Sequence, residues 1–392
     1  MHLRIALFVA GLIALGPSAP ARATVLPTSV SVTGKTLTIN GGAIANDVQI
    51  RLTGKDTDRV FFVSDAATTV TAGEGCTAAG SELRCPVPTP DARVEMALRG
   101  GDDRFQTLGD GFAIHLEALL GPGNDAASLG PESGFCGDYT CRLLGEGGAE
   151  HLVGGTGTGT WLVGGRGDDE LIAHAQSHIA GEGGDDLEVG SPESDVISDV
   201  GRLGEDSGAD VIYGKGGNDG IDEVGGADRI YGGGGDDQIS RSRATRTESS
   251  DLIEGGAGTD LYVRHCGSCR VSLDGIANDG RRDRREGDNI TEFEVIDVEN
   301  YGSRHGRFPF GSGADRVIGD RDPNTIFAGR GPDLVVGRGG ADELYAGAGV
   351  DLIRAADGER DELIGCGAGL DRAIVDPIDR PNPSCEQVVV RR

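Results

Sequence analysis

An aspartate or its amide recurs every nine residues toward the C-terminus of this chain, at Asp315, Asn324, Asp333, Asp342 and Asp351. Two residues after each stands an aliphatic residue: Val317, Ile326, Val335, Leu344 and Ile353. The pattern also runs at Asp210, Asp219, Asp228 and Asp237, followed by Ile212, Ile221, Ile230 and Ile239. A strict period of nine leaves one inward side chain per repeat, so the chain grows in one dimension as a coil. The first six residues of each repeat form a turn and the last three a short strand. Two repeats close one right-handed coil, which places Asp315, Asp333 and Asp351 on one face and Asn324 and Asp342 on the other.

Composition agrees with a coil of turns. Glycine makes up 68 of 392 residues without a three-residue period, which excludes collagen, and aromatics are only 4%. The net charge of −28 repels nucleic acid and anionic membrane surfaces. It also opposes compaction unless cations neutralise it.

Residues 1–23 read as a secretory signal peptide. Arg4 supplies the positive start, Ile5 to Leu15 an apolar run, and Ala21-Arg22-Ala23 a small-x-small cleavage pattern. The run is too short to span a bilayer, and no later segment is long enough. The mature chain is therefore expected to begin near Thr24 outside the cell. The eight cysteines fall into four close pairs, Cys76/Cys85, Cys136/Cys141, Cys266/Cys269 and Cys366/Cys385. In an exported chain an even count favours disulfides over metal binding.

Composition shifts divide the rest. Residues 24–97 alternate apolar and polar residues (Val30, Val32, Leu37, Ile39; Val48, Ile50, Leu52) and read as an N-terminal β-region of four to six strands. A first repeat block covers 98–263, including the full copy Gly164 to Ile172 and looser ones near Asp103 and Asp125. An insertion with Arg281, Arg282, Arg284 and Arg285 covers 264–309, a second block 310–374, and a cap 375–392. Little of the chain suggests helix.

Tandem glycine-glycine-x-glycine-x-aspartate-x-aliphatic-x copies resemble the haemolysin-type calcium-binding repeats of the RTX family. The resemblance implies an all-β, parallel β-roll in two blocks with Ca2+ in its turns. Carried over position by position, it implies Asp169, Asp185, Asp210, Asp219, Asp228, Asp237, Asp251, Asp260, Asp315, Asp333, Asp342 and Asp351 as metal ligands. Asp274, Asn278, Asp279 and Asp288 in the insertion also resemble a segment found between repeat blocks in proteins of this type. Calcium suits such a site because it takes six to eight oxygens in flexible geometry, whereas magnesium demands an octahedron.

Other chemistry is sparse. No Gly-x-Ser-x-Gly elbow or His-Glu-x-x-His occurs. His174 and His178 are read as exposed residues in a short interruption between turns. The sequence thus favours a secreted, non-catalytic calcium-binding repeat protein that serves as a surface, matrix or adhesion module with an extracellular glycan or cell-surface partner. The alternatives are a hydrolase or epimerase carrying such a roll, and a calcium-independent coil.

Overall fold

A computed structural model describes residues 27–391 apart from 55–57, 109–113, 131–140, 199–207, 224, 242–249, 265–268, 274–278, 282–287, 294 and 298–313. The expected signal peptide, Asp274, Asn278, Arg282, Arg284 and Arg285 lie outside the described residues. Among those described there is no α-helix. Strands gather into a 16-stranded sheet, a 13-stranded sheet and a 7-stranded sheet, and successive strands alternate between opposite sheets through most of the coil. The protein is an all-β parallel β-roll.

The nine-residue period sets this register directly. Ile212 pairs with Ile230 on one sheet and Ile221 with Ile239 on the other, each step being two repeats. Val317 pairs with Val335, and Ile326 with Leu344, in the same way. These residues form two inward columns and are buried. One column holds an exception: Glu188 stands between Leu171 and Ile212, fully buried.

The N-terminal β-region is richer than the four to six strands expected, with eight between Thr28 and Ala97. Thr28–Thr33 and Thr36–Asn40 pair antiparallel, as do Asp47–Thr53 and Val60–Asp65. Thr36–Asn40 and Asp47–Thr53 then pair parallel with Arg93–Ala97 and Arg104–Leu108, so each hairpin starts one sheet of the coil. Phe61, Val63 and Leu83 are buried here, which shields the first coil from water.

The stretch 264–309 joins the coil in part. Asn289–Thr291 stacks on Leu252–Ala257, and Val295–Asp297 on Leu261–Arg264, with Ile290 and Ile296 continuing the two columns. His178 likewise lies in a strand of the coil, Ser177–Gly183, and not in an interruption. It stacks on Trp161 with ring centroids 4.3 Å apart, because parallel pairing puts the two residues side by side.

Disulfides close Cys76–Cys85 and Cys366–Cys385, and Cys141 is also disulfide-bonded. Cys136 and Cys266 lie outside the described residues.

Candidate metal centre

Each sixth-position aspartate uses its two oxygens differently. Oδ1 accepts the backbone N–H of the equivalent residue one coil earlier. Asp169 N–H donates to Asp186 at 2.8 Å, Asp186 to Asp210 at 2.8 Å, and Asp210 to Asp228 at 2.9 Å. On the opposite face Asp195 donates to Asp219, Asp219 to Asp237 and Asp237 to Asp260, each at 2.8 Å. Near the C-terminus Asp315, Asp333, Asp351 and Asp371 form one such ladder, and Asn324, Asp342 and Asp361 another. These are the two faces that the period implies.

Oδ2 is buried and, at Asp103, Asp125, Asp186, Asp219, Asp237, Asp342, Asp351, Asp361 and Asp371, meets no hydrogen-bond donor. An unsatisfied buried carboxylate oxygen is costly, and here the cost recurs turn after turn. At Asp186, Asp219, Asp237 and Asp342, and also at Asp169, the oxygen lies against the first glycine of its own repeat. A methyl group on Gly164 would sit 2.1 Å from Oδ2 of Asp169, and one on Gly181 2.1 Å from that of Asp186. Carbonyl oxygens crowd the same turns: Gly148 O would lie 1.5 Å from a methyl group on Gly167, whose φ is +126°. Only glycine fits there. The result is a cradle of carboxylate and carbonyl oxygens between stacked turns, the donor set of a hard cation such as calcium.

Charge makes the same demand. Burial, opposed by the backbone hydrogen bond and aided by neighbouring acids, raises Asp186 and Asp361 to about 8. It raises Asp219 and Asp342 to about 7, and Asp125 and Asp351 to about 6. Glu188 is pushed to about 8 by burial and by Asp210, although Gly181 N–H donates to its Oε1 at 2.6 Å. These acids resist ionisation until a cation faces them.

The expected ligands divide accordingly. Asp169, Asp210, Asp219, Asp228, Asp237, Asp260, Asp315, Asp333, Asp342 and Asp351 stand buried in the inner ladders. Asp185 does not: it is exposed, and Asp186 takes the inner place. The spacing that reveals this is five residues from first glycine to acid, as in Gly164 to Asp169 and Gly181 to Asp186. Asp185 belongs instead to an outer ladder running the opposite way, in which Asp168 Oδ1 accepts Asp185 N–H and Asp185 Oδ1 accepts Ala209 N–H. Asp195, Asp361 and Asp371 join the inner set although their spacing had slipped or their glycines were missing. Asp103 and Asp125 lie in it too.

Asp251 is buried in the ladder, but a protein cation reaches it. Arg241, itself fully buried, ion-pairs through Nη1 with Asp251 Oδ2 and, at 2.7 Å, with Asp288 Oδ2. Arg264 Nη2 lies 3.7 Å from the same Asp288 oxygen. Asp288 also accepts the N–H of Asp251, so it occupies the next rung of the ladder. Asp279, likewise buried, exchanges backbone hydrogen bonds with Asp288.

Comparison with known families matches the RTX calcium-binding nonapeptide repeat in four copies, at residues 206–222, 225–241, 311–344 and 327–359. No curated protein matches the chain. The coils around Asp169, Asp186 and Asp361 lie outside the matched residues yet repeat the same ladder geometry. The chain thus carries RTX-type calcium-binding nonapeptide repeats at these residues.

Proposed function

We propose that the protein is exported, binds calcium in the turns of its coil to complete folding outside the cell, and serves there as a non-catalytic surface, matrix or adhesion module. The observation that carries this reading is the row of buried Oδ2 atoms without a donor. An ion that binds the folded coil and not the unfolded chain stabilises by mass action. Low calcium inside a cell and high calcium outside would then time folding to export.

Two features support the extracellular part. Residues 1–23 have signal-peptide character, and the disulfides Cys76–Cys85 and Cys366–Cys385 suit an oxidising compartment. No helix of the described residues is long and apolar enough to cross a membrane. A surface for a glycan or cell-surface partner is offered by Trp161, 36% exposed, flanked by His178 and by Arg142, whose guanidinium carbon lies 5.4 Å from its ring centroid. They border a shelf-like cavity of about 460 Å³. Aromatic and arginine side chains on a flat sheet suit sugar contact.

Circular dichroism and melting of the mature chain, with chelator or with millimolar calcium, test the reading. A calcium-dependent gain of β signal and a higher Tm are expected. Identical spectra and melting would leave a calcium-independent coil. Hydrolysis of peptide, ester or glycan substrates would favour the enzymatic alternative.

A further inference from the structure

The last coils depart from the nine-residue rule. Asn324 and Asp342 are 18 residues apart, but Asp342 and Asp361 are 19 apart. Gly337 N–H donates to Arg354 O, and Ala355 N–H to Ile374 O, so both turns start in register. The extra residue therefore falls within 356–360, where Ala356-Asp357-Gly358-Glu359-Arg360 replaces a glycine-rich turn. Its effect is to bring a further acid to the ladder. One carboxylate oxygen from each of Asp342, Asp357 and Asp361 lies within 4.8 Å of the others, and no other group of three ligating side chains converges in this way among the described residues.

The oxygens available to an ion can be counted. Asp342 and Asp361 are fully buried. Asp342 Oδ1 accepts Asn324 N–H at 2.9 Å, and Asp361 Oδ1 accepts Asp342 N–H at 3.0 Å. Their Oδ2 atoms have no donor. Asp357 is exposed, and its Oδ1 accepts Glu359 N–H at 2.8 Å, which leaves Oδ2 for a ligand. Arg360 turns to Glu362.

We propose that Asp357, an acid outside the repeat pattern, joins Asp342 and Asp361 in a three-carboxylate calcium site that closes the coil and fixes its C-terminal cap. Carboxylate count tunes calcium affinity upward, so this site fills before the regular turns. The turn that carries Asp357 hangs on the cap. Asp376 Oδ2 accepts Asp357 N–H at 2.8 Å and Gly358 N–H at 2.5 Å, and Asp379 Oδ1 accepts Asp361 N–H at 3.2 Å. The cap is held to the coil by Cys366–Cys385 and by Asn382 N–H donating to Ile364 O at 2.7 Å. An ion drawing Asp357 toward Asp342 pulls the coil and the cap together.

The inference rests on calcium binding by the coil, and its test separates the two. Disulfide-intact full-length wild type, Asp357→Asn and, as a control on a distant exposed acid, Asp91→Asn are titrated with calcium alone by calorimetry. Asp357→Asn should lose the tightest ion or bind it roughly tenfold more weakly, with the remaining sites and the Asp91→Asn variant unchanged. Native-state hydrogen exchange should show calcium slowing the amides of Asp357, Gly358 and Asp361 in wild type and not in Asp357→Asn. Superimposable titrations and exchange for wild type and Asp357→Asn would overturn the site while leaving calcium binding by the coil intact. No calcium uptake by wild type would overturn both.

Discussion

Around Asp251 and Asp288 the inner ladder holds a cation of its own, whereas at Asp342, Asp351, Asp361 and Asp371 the same ladder presents oxygens that meet no donor. Backbone geometry is alike in the two places: an aspartate Oδ1 accepts an amide from the preceding turn in both. What differs is the source of positive charge. At the junction the guanidinium of Arg241, fully buried, reaches both acids. At Asp342, Asp351, Asp361 and Asp371 no such partner meets Oδ2. The lesson is that stacked aspartates in this coil need a counter-charge, and the chain can supply it covalently or take it from solution. The match to calcium-binding repeats supports calcium as the ion of the second route.

Breaking the covalent route should give the largest effect. Arg241→Met leaves Asp251 and Asp288 buried against each other and should cost about 3–5 kcal/mol of folding free energy, read from urea midpoints in calcium. A loss below about 1 kcal/mol would mean that the guanidinium is not the counter-charge.

Breaking the solution route at one rung should cost less, and only when calcium is present. Asp333→Ala removes a proposed ion ligand and the acceptor for Asp315 N–H, a loss of about 2–3 kcal/mol in calcium that shrinks in chelator. Asn324→Ala removes an uncharged side chain and should weaken calcium binding less. Equal losses of affinity would contradict the need for a charged carboxylate at the rung.

Protons offer a third way to neutralise the ladder. The folded pKa values of Asp342, Asp361 and Asp186 are raised to about 7, 8 and 8. A raised folded value contributes stability below the unfolded carboxylate pKa of about 4, and that contribution is lost as pH rises through the folded values. Calcium-free protein should therefore melt at lower temperature as pH climbs from about 4 to 8, while calcium-loaded protein should show a flatter profile. Melting curves across pH with chelator and with calcium check this, and parallel profiles would count against a shared site for proton and ion. The smallest effect is expected at Trp161. Trp161→Ala should change stability by under about 1 kcal/mol and leave calcium uptake intact while reducing retention on immobilised glycans.

Much of the coil was legible because its contacts obey a period. Once Ile212 and Ile230 are known to be two repeats apart, their stacking follows, and so does the pairing of Asp333 with Asp351. Legibility failed where the period is ambiguous or where contacts cross long loops. At Asp185-Asp186 either acid satisfies a local pattern, since Leu187 and Glu188 compete for the inward place. The structure buries Glu188, and only the distance from Gly181 indicates the outcome. Arg241 sits just beyond a regular repeat and looks like a solvated residue, but its partner Asp288 is 47 residues away. Asp357 was hidden for a related reason, because a one-residue lengthening of a turn has meaning only when its neighbouring turn is stacked beside it. His174 is an exposed bend residue as expected, but His178, read as a loop residue, was drawn into the coil by strand pairing that the degenerate glycine pattern did not announce.

The central claim is that an ion from solution takes in the repeat turns the place that Arg241 takes at the junction. Anomalous scattering from crystals of the mature chain grown in calcium tests it most directly. The account predicts calcium peaks beside the Oδ2 atoms of Asp219, Asp237, Asp342 and Asp361, and none between Asp251 and Asp288. Empty turns in saturating calcium, or a calcium peak displacing the guanidinium of Arg241, would contradict it.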